Sequence, residues 1–372
     1  MTQPSAGGAV RVAHLMHGLG VGGLEYMVLD LCVRGRERGI EPLLIVLGED
    51  GPMRQVAEAR GIRVEHLADV PGLSVAAVRG IGKALDRFGA HVVHAHDLGP
   101  WLNAVAARAL RPSTAALATF HQVKPPSGPK KPAAMAAALF SEALVACGNE
   151  VRADVDTWAP PGAHVVTIGN GVSLPPPPSS EQRLEARRQL GLPPDAVVIG
   201  SIGRMQPVKG PEILLEAFLE RFKEWPEVHL VLVGGGPLEA ELRARAAGHA
   251  NVHLTGQVLD AARLLPAFDV YAQTSRSEGR SLALLEAMAA GLPTVAHALP
   301  AMSEVHRAGD TALLVPLGDQ EALCDALDTL VWDTARRTRM GASARERSRL
   351  FSVDAMADAY AELYRKVAAA KA

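Results

Sequence analysis

Three features are scarce in this sequence: cysteine, an excess of one charge sign, and long apolar runs. The cysteines, Cys32, Cys147 and Cys324, are scattered without metal-ligand spacing, which predicts reduced, mostly buried thiols. Thirty-eight basic and 40 acidic side chains give a formal charge of −2, which argues against a nucleic-acid-binding protein. No segment reaches the roughly 18 apolar residues of a membrane span, and no secretory signal is apparent. We therefore expect a soluble, cytoplasmic protein.

Short apolar runs alternate with amphipathic segments along the whole chain. This alternation is typical of the α/β class, in which helices cover parallel sheets. A chain of 372 residues is too long for one compact core, so we expect two similar doubly wound, Rossmann-like domains that face each other across a cleft.

The expected domain boundary is rich in proline. Four consecutive prolines, Pro175 to Pro178, followed by Ser179 and Ser180, fit neither a sheet nor a helix interior. We therefore predict an N-terminal domain over residues 1–174, a linker over 175–180 and a C-terminal domain over 181–350. Residues 351–372 are predicted to form a C-terminal helix that packs back on the first domain.

The stretch "HGLGVGGLE" follows the first predicted strand. Gly18, Gly20 and Gly23 have the G-x-G-x-x-G spacing that binds a dinucleotide pyrophosphate in Rossmann domains. The motif alone is a weak signal, so an NAD-dependent dehydrogenase stays an alternative. Glu49 is the candidate ribose-binding acid, although it follows the glycines at more than the usual spacing of about 20 residues.

Two cations flank a loop in "IGRMQPVKG". Arg204 follows a predicted strand and Lys209 precedes a predicted helix, and ligands of parallel sheets bind at such loops. Paired guanidinium donors and a lysine point charge suit a diphosphate. Taken alone, these residues are more typical of two solvated surface cations.

A second stretch, "TSRSEGRSLALLEAMAAGLPTV", contains two glutamates. Glu278 lies in a loop where Gly279 permits a close turn, and Glu286 lies among apolar residues of the following helix. The helix start, Arg280 to Leu282 with Ser281 as its first residue, offers backbone N–H groups to an anion. The carboxylates could accept hydrogen bonds from sugar hydroxyls, or they could be an ordinary loop charge and a helix-surface residue.

Together these motifs resemble retaining glycosyltransferase family 4, which has the GT-B fold. The resemblance extends over nearly the whole chain, with similar motifs in the same order: "GVGGLE", "VVHAHD", "TFHQ", "IGNGV", "GRMQPVKG", "LVGGGP", "LTGQV", "EAMAAGLPTV" and "LLVPLGD". Each motif is weak on its own, whereas their order and spacing make the resemblance specific.

The resemblance implies a role for each matching residue. Arg204 and Lys209, with the amides of Arg280, Ser281 and Leu282, would hold the diphosphate of the donor. Glu286 would bind the ribose and Glu278 the hydroxyls of the transferred sugar. Gly22 and Gly23 would let a loop of the first domain approach the donor, and His121 would assist at the reacting centre. Arg280 and Ser281 replace an aromatic residue and a glycine, and Glu304 lacks a preceding glycine pair, so the donor sugar stays open.

The implied reaction moves a hexose-type sugar from a UDP- or GDP-sugar to an acceptor hydroxyl with retention of the anomeric configuration. The acceptor would be a glycan, a glycolipid or lipid-linked sugar, or a secondary metabolite, as in polysaccharide biosynthesis. No cofactor and no metal are implied. The alternatives are a sugar-nucleotide epimerase of the same fold, the dehydrogenase above, and a non-catalytic binding module.

Two further segments each permit two interpretations. His94, His96 and Asp97 could ligate zinc but supply an incomplete set of four ligands, so local hydrogen bonding is favoured. Residues 121–135, "HQVKPPSGPKKPAAM", are predicted to form a long loop. Its lysines, Lys124, Lys130 and Lys131, would meet an anionic acceptor or the inner membrane face, or the loop would be mobile and solvated.

Overall fold

The computed structural model describes residues 8–67 and 72–371 and divides the chain into two α/β units. The first unit comprises Met1–Asn170 and Val353–Ala372, and the second comprises Gly171–Ser352. Each unit contains a parallel sheet with its strands connected through helices. The predicted α/β class with two Rossmann-like domains is confirmed.

The first unit contains a seven-stranded parallel sheet with the order β3-β2-β1-β4-β5-β6-β7. The strands are β1 (Val10–Met16), β2 (Ile40–Val46), β3 (Arg63–His66), β4 (Val92–His96), β5 (Ala115–Phe120), β6 (Ala143–Ala146) and β7 (Val165–Thr167). Every residue of β4, β5 and β6 is buried, as expected for strands covered by helices on both faces.

Six helices follow the strands of this sheet. They are α1 (Gly23–Arg36), α2 (Met53–Ala59), α3 (Val75–Phe88), α4 (Leu98–Arg108), α5 (Lys130–Leu139) and α6 (Asn149–Asp156). The predicted long loop at residues 121–135 is therefore wrong over its last part, because α5 begins at Lys130. Pro132 lies in the first turn, where proline is tolerated, and the alanines that follow it favour a helix.

The last helix, α14 (Val353–Ala369), returns to the first unit and packs against α1 and β1. Its buried face includes Tyr360 and Tyr364. Arg38, just beyond α1, forms ion pairs with Asp354 and Asp358 at the start of α14. The helix is thus held by apolar packing along its length and by charge pairs at its N-terminal end.

The second unit contains a six-stranded parallel sheet with the order β10-β9-β8-β11-β12-β13. The strands are β8 (Val197–Ile202), β9 (Val228–Val233), β10 (Val252–Gly256), β11 (Val270–Gln273), β12 (Thr294–His297) and β13 (Ala312–Val315). The helices are α7 (Ser180–Gln189), α8 (Pro211–Phe222), α9 (Glu239–Ala246), α10 (Leu282–Ala289), α11 (Pro300–Val305), α12 (Gln320–Trp332) and α13 (Thr334–Ser348), and 3₁₀ segments cover Pro207–Lys209, Ala261–Ala267 and Arg349–Phe351.

The proline stretch at residues 175–180 lies inside the second unit, which begins at Gly171. The carbonyl oxygen of Pro175 accepts a hydrogen bond from Arg345 of α13. Ser179 and Gln182 then form a capping box that starts α7. The structural division therefore falls four residues before the boundary predicted after residue 174.

Each sheet has a point at which the strand order reverses, between β1 and β4 in the first unit and between β8 and β11 in the second. Ligands of open parallel sheets bind beyond the carboxyl ends of the strands at such points. The loops after these four strands carry the residues considered below. Among the described helices, none combines the length and apolar character needed to cross a membrane.

Candidate functional site

The loop that carries Arg204 is held by close backbone contacts with the glycine-rich loop after β9. The N–H of Met205 donates to the carbonyl of Gly235 at 2.8 Å. Gly234 and Gly236 have φ values of 139° and 151°, and a Cβ on either would overlap a carbonyl oxygen of the 203–205 segment. "VGGGP" therefore contains glycine where a side chain would push the Arg204 loop away from the sheet.

The loop that carries Lys209 is joined to the loop after β11. The hydroxyl of Thr274 donates to the carbonyl of Gly210 at 2.7 Å, and the N–H of Arg276 donates to the carbonyl of Val208 at 2.8 Å. Gly210 is left-handed with a φ of 61°, and a Cβ there would overlap the carbonyl oxygen of Thr274. This contact brings two distant sequence motifs together.

The centre of the site is an ion pair between Lys209 and Glu278. The lysine Nζ lies 2.7 Å from both carboxylate oxygens. Glu278 is 6% exposed, and its Oε1 also accepts hydrogen bonds from Gln273 Nε2 at 2.9 Å and from Ser275 Oγ at 2.6 Å. A buried carboxylate with a cation and two neutral donors is well compensated for its loss of water.

The hydrogen-bonding capacity of this pair is only partly used. Of the described residues, Oε2 of Glu278 receives a hydrogen bond from Lys209 alone, so it retains a lone pair for a hydroxyl donor. The ammonium of Lys209 uses two of its three N–H donors on the carboxylate, and its side chain is 28% exposed. The pair can therefore offer one acceptor and one cationic donor to a ligand.

Arg204 lies in the same loop as Lys209, but its surroundings differ from those of the ion pair. Its side chain is exposed, and it forms no hydrogen bond or ion pair with any residue in the described ranges. Since the charge of Lys209 is balanced by Glu278, Arg204 supplies the uncompensated positive charge of this loop. A net cation at the carboxyl edge of a parallel sheet attracts an anionic ligand.

The helix α10 begins one residue after its expected start. Ser281 is the N-cap, and its hydroxyl accepts a hydrogen bond from the N–H of Leu284 at 3.3 Å. Arg280 forms an ion pair with Glu304 and lies over the ring of Phe351 at 5.4 Å. The guanidinium of Arg280 therefore lies against Glu304 and Phe351.

Glu286 lies in the second turn of α10 and is partly buried, and Gly279 is buried in the loop before it. Burial raises the pKa of Tyr271, and the negative charges of Glu278 and Glu286 raise it further. The Tyr271 hydroxyl donates to the carbonyl of Ile202 at the end of β8. The two glutamates thus raise the pKa of the same buried tyrosine, which lies where the strand order of the second sheet reverses.

A cavity of about 270 Å³ opens at the corresponding point of the first unit. Three carboxyl-bearing residues and two histidines contribute to its lining: Glu25, Glu49, Asp97, His17 and His96. Gly22 is the N-cap of α1, and Gly23 is its first residue. A Cβ on Gly22 would lie 2.7 Å from the carboxylate of Glu25, so this carboxylate folds back over the start of the helix.

Four histidines form a cluster at this edge of the first sheet: His14, His94, His96 and His121. His14 Nδ1 is 3.3 Å from His96 Nε2, and His96 Nδ1 is 3.2 Å from His121 Nε2. Both ring nitrogens of His94 have other partners, the Tyr364 hydroxyl and Thr119 Oγ1, each at 2.7 Å. These bonds match the local hydrogen bonding that the sequence favoured for His94 and His96.

The histidine cluster differs from the zinc set considered from sequence. One nitrogen each of His14, His94 and His96 lies within 4.8 Å of the others, whereas the carboxylate of Asp97 accepts the backbone N–H of His121 at 3.2 Å. Burial lowers the pKa of His14 to about 3 and holds the pKa values of His94 and His96 well below their ordinary range. The three rings are therefore neutral at pH 7.

His121 follows the last residue of β5, as its predicted role requires. Burial lowers the pKa of His121, and the nearby carboxylate of Asp97 opposes this shift. A neutral ring held by His96 can donate or accept a hydrogen bond but carries no positive charge at pH 7. This environment suits hydrogen bonding to a hydroxyl better than stabilising an anion.

Sequence reasoning missed four residues of these sites: His14, Glu25, Gln273 and Ser275. Gln273 is a polar residue at the end of a buried strand, which is a detectable signal. His14 pairs with His94 in the β1–β4 register, which only the strand order reveals. Ser275 and Glu25 carry no signal of their own, because their positions depend on how the loops fold.

Two family models match the chain, one in each unit. A model described as Glycosyltransferase Family 4 matches residues 21–174, and one described as Glycosyl transferases group 1 matches residues 196–333. The motif with Arg204 and Lys209 and the motif with Glu278 and Glu286 both lie within the second range.

The chain is also similar to named relatives and to solved structures. It is 30% identical to a D-inositol 3-phosphate glycosyltransferase of Kineococcus radiotolerans over 93% of this chain and 90% of that protein. It is 35% identical to a phosphatidyl-myo-inositol mannosyltransferase of Mycobacterium leprae over 56% of this chain and 55% of that protein. Its structure resembles Anabaena Alr3699/HepE in complex with UDP and glucose, with a TM-score of 0.84 and 20% identity over 96% of this chain and all of that one.

Proposed function

Since the chain belongs to the family 4 glycosyltransferases of the GT-B fold, we propose that it transfers a hexose-type sugar from a nucleoside diphosphate to an acceptor hydroxyl, with retention of configuration. The observation that carries the donor assignment is the pair formed by Lys209 and Glu278 beside the unbalanced charge of Arg204. These residues lie in the loops after β8 and β11, where the strand order of the second sheet reverses.

In the proposed reaction, the bond between the anomeric carbon and the diphosphate oxygen breaks as the acceptor oxygen bonds to the same carbon. The acceptor proton passes to the departing phosphate, so no carboxylate nucleophile is required. Negative charge grows on the leaving diphosphate, and fixed cations stabilise such charge in the transition state. Arg204 and the third N–H of Lys209 supply this stabilisation, together with the amides at the start of α10.

Glu278 has two tasks in this proposal. Its carboxylate fixes the Lys209 ammonium in place, and its Oε2 accepts a hydrogen bond from a hydroxyl of the transferred sugar. A carboxylate already engaged by Lys209, Gln273 and Ser275 is weakly nucleophilic, which favours positioning over attack. Glu286 is assigned to the ribose hydroxyls, and neutral His121 to a sugar hydroxyl.

A UDP-sugar is the first donor to test, because the structurally similar Anabaena protein is described in complex with UDP and UDP-glucose. The names of the two relatives above make a hydroxyl of an inositol-containing acceptor the first acceptor to test. An epimerase of this fold would instead release an altered sugar without any acceptor. Product analysis with and without acceptor separates the two activities.

The experiment that tests the donor site is calorimetric titration of UDP, GDP, ADP and NAD into the wild type, Arg204→Ala and Arg339→Ala. Arg339 is an exposed arginine of α13 and serves as the matched control. Loss of a charged hydrogen bond costs about 1.5–3 kcal/mol, so Arg204→Ala should weaken binding of one nucleoside diphosphate roughly 10- to 150-fold. Equal affinities for all three proteins, or binding of NAD alone, would contradict the proposal.

A further inference from the structure

The outward face of α5 is apolar beyond the two lysines that begin the helix. Every exposed position after Lys131 bears an apolar side chain, with the helical spacing i, i+3, i+4, i+7 and i+8: Pro132, Met135, Ala136, Leu139 and Phe140, the last being the C-cap residue. The opposite face, Ala134, Ala137 and Ala138, is buried in the core of the first unit. We call the five exposed residues the α5 stripe.

The α5 stripe is unusual for a helix on a protein surface. Leu139 and Phe140 are each 60% exposed, and Met135 is 36% exposed. An exposed helix face normally carries polar residues, and single exposed apolar residues need no explanation. A contiguous apolar stripe on one helix, in contrast, marks an interaction surface.

The charged residues of the segment that carries the stripe are all positive. Lys124, Lys130 and Lys131 are exposed, and the sequence from 121 to 141 contains no aspartate or glutamate. The next acid, Glu142, is neutralised by Arg108 and Lys371, each at 2.7 Å. The carboxylate of Asp154 accepts the backbone N–H of Lys124, and the segment itself has a net positive charge.

Two of the lysines occupy positions where they do not stabilise the helix. Lys130 and Lys131 are the first two residues of α5, where the positive end of the helix dipole disfavours cations. Their charges add to that of the dipole and give the N-terminal end of the stripe a positive potential. A partner with negative charge next to apolar groups matches both features.

We propose that the α5 stripe and its three lysines bind the surface of a lipid bilayer that contains anionic lipids. The apolar residues enter the boundary between headgroups and acyl chains, and Lys124, Lys130 and Lys131 lie among the lipid phosphates. This arrangement is the one by which interfacial amphipathic helices bind membranes. The inference goes beyond the proposed sugar transfer and does not depend on it.

The size of the stripe argues against a second copy of the chain as the occupant. A ten-residue helix is about 15 Å long and about 10 Å wide, so its face covers on the order of 150 Å². A stable protein interface buries about 800 Å² on each partner. A bilayer, in contrast, needs no complementary shape and accepts a short convex helix.

The test is co-sedimentation of the full chain with lipid vesicles. The vesicles are phosphatidylcholine alone or an equal mixture of phosphatidylcholine and phosphatidylglycerol, at low and high salt. We expect sedimentation with the anionic vesicles that weakens at high salt. Each lysine contributes about 1 kcal/mol near an anionic surface, so Lys130→Gln/Lys131→Gln should reduce binding about 30-fold. Leu139→Ser/Phe140→Ser should reduce binding to both vesicle types.

Two matched control variants distinguish binding through the α5 stripe from nonspecific binding to vesicles. Leu110→Ser removes an exposed leucine at the end of α4, and Lys83→Gln removes an exposed lysine of α3. Both should bind vesicles like the wild type, and circular dichroism should show that all variants are folded. No binding by the wild type, equal binding to neutral vesicles, or equal loss in the controls overturns the proposal. A dimer that Leu139→Ser/Phe140→Ser abolishes, without vesicle binding, would assign the stripe to self-association instead.

Discussion

Replacing Lys209 with methionine tests whether the pair with Glu278 is the centre of the second unit's site. Methionine keeps most of the apolar stem of lysine and removes the charge. Two hydrogen bonds of 2.7 Å are lost, and the carboxylate retains only those from Gln273 and Ser275 on its Oε1. Oε2 of Glu278, which is 6% exposed, then loses its cationic partner.

The magnitude follows from burial. Breaking a buried ion pair by removing one partner costs about 3–5 kcal/mol. The Lys209 side chain is 28% exposed, so water can reach the vacated position, and two neutral donors remain. We therefore expect Lys209→Met to lower the free energy of unfolding of the second unit by about 2–3 kcal/mol, less than a fully buried pair would.

A double-mutant cycle isolates the interaction itself. Glu278→Gln removes the charge but keeps an acceptor, and its cost should be smaller because Lys209 can turn to solvent. The variant with both substitutions should be more stable than the sum of the single changes by about 1–2 kcal/mol. Urea denaturation measures all four proteins, and Lys223→Met, an exposed lysine after α8, is the control.

The same four proteins are then titrated with the nucleoside diphosphate that binds the wild type. Both single variants should bind it more weakly, since Lys209→Met removes the ammonium that we propose to face the diphosphate and Glu278→Gln no longer holds it in place. Stability costs that add within about 0.5 kcal/mol would refute the reasoning, because independent sites behave in that way. Unchanged nucleotide binding in Lys209→Met would refute the assignment of the donor site.

Two further predictions follow from the glycine contacts and from the histidine cluster. Gly210→Ala should destabilise the second unit by about 2–4 kcal/mol in urea denaturation, because Gly210 is left-handed and a Cβ would overlap Thr274; Gly203→Ala, which meets no atom within 4 Å, is the control. Buried neutral His14 has its pKa lowered to about 3 from 6.5, so the unfolded chain binds more protons between these values and stability is lost as the pH falls below 6.5. The loss from this residue should reach about 2 kcal/mol at pH 5 and should disappear in His14→Asn but persist in His17→Asn; equal pH profiles would contradict it.

Much of the fold could be predicted from sequence, because buried parallel strands are continuous apolar runs with polar residues at their ends. The strands Val10–Met16, Ala143–Ala146 and Val270–Gln273 lie in such runs. Since loops after such strands meet at one edge of a sheet, the sequence pattern is enough to assign the motifs with Arg204 and Glu278 to the same edge.

The missed helices have a different physical basis. The helix α13, Thr334–Ser348, is rich in arginine and has no clear apolar face, and it is held by packing of Met340, Gly341 and Ala344 near α10. The helix α5 was hidden by the prolines and glycine that precede it. Local pattern does not reveal stability that comes from tertiary packing.

The partners of polar side chains were equally beyond sequence reasoning. Glu278 was predicted to bind sugar hydroxyls, but the structure first shows it bound to Lys209, which is 69 residues away in the chain. The spacing of residues in the sequence predicts which helix, strand or loop carries a side chain. Which side chains from two different loops come into contact depends on the strand order and register of the whole sheet. The same holds for His14 and His96, which are 82 residues apart.

The glycine loop of the first unit shows how side chains decide what a backbone motif can bind. A G-x-G-x-x-G loop binds a pyrophosphate because the N–H groups at the following helix start are open to an anion. Here the carboxylate of Glu25 folds back against Gly22 at the start of α1, and Glu49 and Asp97 line the same cavity. A pyrophosphate would have to displace one carboxylate and approach two others, which is electrostatically unfavourable. In the second unit the corresponding position presents Arg204 and Lys209, so an anionic ligand is favoured there and disfavoured at the glycine loop.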